Sequence, residues 1–319
     1  MSKEVIPMRR MIFGVTLVPA LLLSSCHLDF DLGDMGDTKF REDFHHTYPL
    51  KSGGRVEIES FNGSIEIHGW DKETVEIHGT KYAASQELLN LLKVDIANMP
   101  DSIRIRSVRP ADRRGNMGVK FVLSVPRRTI LERVASSNGS VRVAQIEGNG
   151  RIKTSNGAVR ASNFTGDIDI TTSNGAVELD TFAGGATIRT SNGSIKAHGV
   201  KGHFEAETSN GSVDAHILEA GSGRPVRVES SNGRILLQID ALNGSDVRAS
   251  TTNSSLTVKL PSILNARVRA STSNASITND YELTVKGTIS KGRLEGTVGS
   301  GGPLIELHSS NGGIRIQKL

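Results

Sequence analysis

The sequence predicts an all-β protein whose body is a parallel β-helix (a β-solenoid) of about 18–22 residues per turn, and three observations predict it. The stretch "SNGSVRVAQIEGNGRIKTSNGAVR", Ser137 to Arg160, carries Ser-Asn-Gly twice, 18 residues apart. The turn recurs at Asn138, Asn156, Asn174, Asn192 and Asn210 with that spacing, at Asn232, Asn253 and Asn274 after steps of 22, 21 and 21, and again at Asn311. Composition agrees with the repeat. Of 319 residues 34 are Gly, and aromatic residues make up only 4%, which suits a thin repetitive β structure better than a large packed globule.

From the N-terminus, residues 1–25 read as a lipoprotein signal peptide. Lys3, Arg9 and Arg10 form a positive start, "MIFGVTLVPALLL" is an apolar run short for a spanning helix, and "LSSC" ends at Cys26, the one cysteine of the chain. The motif resembles the bacterial lipoprotein signal, which implies lipid on Cys26. An ordinary secretory signal and an uncleaved anchor are the alternatives. Lipidation implies a membrane-anchored protein of the cell envelope, in the outer membrane if the bacterium has two. Residues 26–45, with Asp29, Asp31, Asp34 and Asp37, read as an acidic tether. Residues 46–135 read as a β-rich N-terminal cap with one short helix in "ASQELLNLLKVDI", where Leu88, Leu89, Leu91 and Leu92 offer an apolar face that would cover the end of the stack. An early copy of the turn sits at Asn62.

Residues 136–319 read as the solenoid. Counted from each Asn, aliphatic residues fall six and four before it (Ile168 and Ile170, Val226 and Val228) and three after it (Val177, Ile195, Val213). Eight after it come Ile146, Phe164, Phe182, Val200 and Leu218, and two before it always Thr or Ser. A local period of two with one apolar face means strands buried on one side. In a parallel stack like residues lie on like, about 4.8 Å apart, so the Asn amides are expected to form a buried ladder and the Thr hydroxyls a second one. Gly after Asn is expected to supply positive φ at a sharp corner. A six-residue left-handed helix is excluded because Glu147 and Lys153 fall where aliphatics are needed, and calcium-binding nonapeptides are absent. An irregular coil, expected to be right-handed, remains.

The segments "RVEIESFNGSIEIHGWDKETVEIHGTKYA", the "SNGSV/SNGAV/SNGSI" series and "NGGIRI" resemble the bacterial putative-adhesin family of domains of unknown function, a lipoprotein-rich group of β-solenoid proteins. The resemblance spans residues 50–319. It implies an adhesin-like, non-enzymatic surface and supplies no catalytic residues or cofactor.

Four surface features are candidate sites. Arg227, Arg248, Arg269 and Lys286, each five before a turn on four successive rungs, form a basic column that could bind an anionic polysaccharide or other envelope polymer; a solvated face is the plainer reading. Asp180, His198 and His216 share the position six after the turn and could hold a metal or an acid–base pair, against three unrelated exposed residues. Paired carboxylates at Asp167/Asp169 and Glu205/Glu207 would suit a polysaccharide-active enzyme, but no long loop builds a cleft and no nucleophile elbow or phosphate loop occurs. The chain finishes on the strand "GGIRIQKL", which leaves an open last rung for self-association, with Lys318 as its gatekeeper. A net charge of +4 gives no reason to expect nucleic acid as a partner.

Overall fold

The computed structural model describes residues 40–111, 115–285 and 290–319. In chain order the elements begin β1 (Phe40–Pro49), β2 (Arg55–Ser60), β3 (Ile65–Trp70), β4 (Thr74–Ala83), α1 (Gln86–Leu91), β5 (Lys93–Met99), β6 (Ser102–Val108) and β7 (Met117–Pro126). The repeats follow: β8 (Ile130–Ser136), β9 (Val141–Glu147), β10 (Gly150–Thr154), β11 (Val159–Thr165), β12 (Ile168–Thr171), β13 (Val177–Thr190), β14 (Ile195–Thr208), β15 (Val213–Ala220), β16 (Val226–Ser230), β17 (Ile235–Ile239), β18 (Val247–Thr251) and β19 (Leu256–Leu260). The chain ends with β20 (Ala266–Thr272), β21 (Ile277–Asn279), β22 (Thr284–Val285), β23 (Arg293–Val298), β24 (Leu304–Ser309) and β25 (Ile314–Lys318).

These strands stack in two parallel columns joined at the Asn corner. Strands preceding the corner stack in the order β6, β2, β8, β10, β12, then the second halves of β13 and β14, then β16, β18, β24 and β20. Strands following it stack as β7, β3, β9, β11, the first halves of β13 and β14, β15, β17, β19, β25 and β21. The inward positions form one apolar core that runs without a break from Leu50 to Ile316, so residues 46–135 share the core of the repeats. Phe164 and Phe182 stack within it, centroids 5.8 Å apart. Where the rung lengthens to 22 residues the register shifts, and Ile217 rather than Leu218 faces the core.

The stacking order departs from the sequence order at both ends. The first rung of the chain, β2–β3, lies inside the later rung β6–β7, and the last, β24–β25, lies between the rung β18–β19 and the earlier rung β20–β21. The C-terminal rung is therefore not an open end, which removes the surface expected for end-to-end assembly. Tyr281, 6% exposed, locks it from above: its hydroxyl donates to the Leu260 carbonyl at 2.8 Å, and burial pushes its pKa up to about 12. Lys318 lies over the Tyr281 ring, 5.4 Å from its centroid, and guards no free edge.

Antiparallel strands finish the stack. β5 covers β6, β4 and then β1 cover β7, and β23 covers β20. The cap's strands thus take the end-covering role expected of the helix. α1 packs on β4 and β1 through Leu89, starts at Ser85, whose hydroxyl accepts from the Leu88 amide, and leaves Leu91 exposed. No helix among the described residues is long and apolar enough to cross a membrane.

Candidate functional site

The nine turn asparagines come together in one column. Eight bonds link them: from Asn156 onward each Nδ2 donates to the Oδ1 of the Asn before it, at 2.6–2.8 Å, in the order Asn138, Asn156, Asn174, Asn192, Asn210, Asn232, Asn253, Asn311, Asn274. Asn311 enters out of sequence because its rung is the inserted one. The amides lie on the outside of the corner, exposed, so the expectation of a buried ladder is corrected. Asn62 bonds to the Met117 carbonyl instead.

Two residues before each Asn, the Thr/Ser column is buried, and its hydroxyls do not bond one another. Thr190 accepts from the Gly193 amide at 3.1 Å and donates to the Gly175 carbonyl at 3.3 Å, and Thr208 repeats this with Gly211 and Gly193. Each hydroxyl thereby ties its own turn to the turn below. The glycine after Asn is required for closeness, not for φ. Gly157, Gly175, Gly193 and Gly211 do not have positive φ, but a Cβ on any of them would overlap the carbonyl oxygen of the glycine one rung below. Positive φ appears elsewhere, at Gln145, Asn163, Thr181 and Gly199, also 18 apart, where the strand after the corner kinks.

The basic column is not continuous. Insertion of the last rung puts Glu306 between Arg248 and Arg269. Arg227 pairs with Glu229 at 2.8 Å, Arg248 with Glu306 at 3.7 Å and Arg269 with Glu295 at 3.2 Å, while Lys286 lies outside the described residues. Carboxylates beside each described arginine replace the expected polyanion track. Asp180 and His198 are neighbours in register, but His216 turns to Asp240, 2.8 Å away, and to Gln238. The three do not converge, and no metal or acid–base site forms there. Cys26 lies outside the described residues.

Of the second bend, where the strand after the corner meets the next strand, the sequence reading singled out only the Asp167/Asp169 pair. Asn149, Asp167, Gly185 and His203 stand 18 apart in that order. The Asn149 side-chain oxygen Oδ1 accepts the Asp167 amide at 3.0 Å, and an Asp167 carboxylate oxygen accepts the Gly185 amide at 2.9 Å. With no side chain at Gly185, the bend opens into a groove of about 470 Å³ flanked by Glu132, Arg151, Asp169, Thr187 and Arg224. His203 lines it with a buried Nδ1 that has no hydrogen-bond partner. Burial first, then the Arg224 charge, holds its imidazole below the usual histidine range, so the ring is neutral at pH 7. The register of 149, 167 and 203 was visible in the sequence, but only the fold shows that they border one groove.

Comparison with solved structures finds matches at low identity. A "putative cell adhesion protein" from Clostridium sporogenes is 10% identical, over 87% of this chain and 100% of that one, with a TM-score of 0.23. A "putative adhesin" from Bacteroides fragilis is 14% identical over 89% and 99%, TM-score 0.36, and one from Parabacteroides distasonis 10% identical over 87% and 97%, TM-score 0.37. No curated protein matches the chain. Residues 45–240, more than half of the chain, match the Toastrack DUF4097 family, and the protein belongs to that family.

Proposed function

We propose that the protein is a non-enzymatic, adhesin-like component of the cell envelope, anchored by lipid on Cys26, and that its ligand is a glycan strand seated in the groove at the second bend. One observation carries the choice of ligand. The groove spans several rungs and mixes both charge signs, Glu132, Asp167 and Asp169 against Arg151 and Arg224, with a neutral imidazole whose Nδ1 is unpartnered. Such a lining offers donors and acceptors to hydroxyl groups and has no surplus of cations for a polyanion. An Asp167 carboxylate oxygen accepts the Gly185 amide, which fixes this side chain at the edge of the groove. Repeated weak contacts along a polymer add through effective concentration.

The test is retention of the chain on immobilised envelope glycans across a salt series. Binding that persists at high salt and is lost in the Arg151→Ala/Asp169→Ala double variant supports the reading; equal retention of that variant overturns it. Fractionation of cells carrying Cys26→Ser tests the anchor, and an unchanged membrane fraction would sink it.

A further inference from the structure

We propose that His45, Glu76 and His78 form a binding site for a divalent transition-metal ion, zinc foremost, on the outer face of the cap. The antiparallel register of β1 and β4 sets His45 directly opposite His78. Their imidazoles stack with centroids 4.2 Å apart and planes 24° apart. Glu76 is two residues before His78, hence on the same face of β4, with its carboxylate 3.9 Å from His78 Nε2. One donor atom from each of the three lies within 4.8 Å of the others, and among the described residues this is the group of three or more metal-ligand side chains that converges.

Two imidazoles and a carboxylate suit zinc, copper or nickel, and leave zinc a fourth position for water or for a ligand oxygen. Tetrahedral zinc with bonds of about 2.0–2.1 Å needs donors about 3.3–3.5 Å apart. The donors must therefore draw together, and the rings must turn out of their stack so that both in-plane lone pairs meet the ion. Both histidines are exposed, so rotation about χ1 and χ2 is open to them. Glu76 has one competing cation, Lys72, at 4.0 Å, a distance at which an exposed pair is weak. Asp43 on the same face is occupied by the Thr80 hydroxyl at 2.7 Å and is not needed. His216 is held by Asp240, and His308 by Ser271.

The site has a structural consequence. Among the described residues β1 is paired on one side only, to β4, and apart from the partly buried Phe40, Phe44 and Tyr48 its side chains are exposed. An ion ligated from both strands clips this edge strand to the stack, so it stabilises the folded chain by mass action.

The experiment is calorimetric titration of the untagged, metal-stripped full chain with zinc chloride, alongside thermal melts with and without zinc. The expected result is one zinc per chain with a rise in Tm, both abolished in His45→Ala and His78→Ala. Affinity should fall by about tenfold or more in Glu76→Gln and stay unchanged in His198→Ala. Absence of zinc binding in the wild type, or equal binding by the His45→Ala/His78→Ala double variant, overturns the proposal. Cobalt(II) loaded into the wild type gives a second reading that needs no variant. Intense tetrahedral nitrogen–oxygen bands support the site, and a weak octahedral spectrum overturns it.

Discussion

Two hydrogen-bonded columns run down the same corner of the solenoid, two residues apart in sequence, and they differ in what they stabilise. The Asn column faces solvent and bonds side chain to side chain; the Thr/Ser column faces the interior and bonds side chain to backbone. Water can replace the amide bonds of the first. Nothing replaces the hydroxyl bonds of the second, because the Gly carbonyls and amides they satisfy are buried. Directly after the Asn column comes glycine, with no side chain to bond at all, and its constraint is the tightest of the three.

The comparison can be broken by substitution on a single rung. Gly175→Ala should cost most, roughly 3 kcal/mol or more, because its Cβ would overlap the Gly157 carbonyl and the rungs have no room to part. Urea unfolding measures it, and a cost near zero would mean the rungs slide freely. Thr190→Val keeps the shape and strips the hydroxyl from Gly175 and Gly193; the expected loss is about 1–3 kcal/mol. Asn192→Ala removes two exposed amide bonds and should cost only about 0.5–1 kcal/mol. An Asn192 effect larger than that of Thr190 would reverse the ranking. The smallest change runs the other way. Thr181 is β-branched, exposed and held at φ +53, so Thr181→Asn should raise stability by about 0.5–1 kcal/mol, read as a shift in Tm.

The columns were legible in the sequence because a parallel stack turns translation along the chain into translation in space, and a fixed interval between asparagines survives that mapping intact. Which side of the corner the amide takes was not legible, since Asn fits either a buried or a solvated ladder and only the Thr beside it decides. The φ argument for Gly failed for a related reason: closeness between rungs is a property of the stack and leaves no mark on one turn. The order of the rungs was hidden more deeply. Nothing local tells β24 to slide beneath β20, and a basic column that is continuous in sequence therefore acquires Glu306 in its middle. One signal was present. Asn274 and Asn311 are 37 apart where the preceding steps are 21, and the surplus is the excursion that travels out to β23 and back. The pairing of His45 with His78 was invisible for the opposite reason, because antiparallel register joins residues that share no interval.

The inserted last rung also changes how the molecule yields. A solenoid whose final coil sits at the tip peels like a zipper, one strand at a time, under a pulling force or a carboxypeptidase. Here the terminal strand is flanked on both sides, by β19 and by β21, and the backbone amide of Leu319 still bonds to Leu260. Pulling on β25 must shear both flanking sets of backbone bonds together, so this strand resists peeling more than a coil bonded to one neighbour alone.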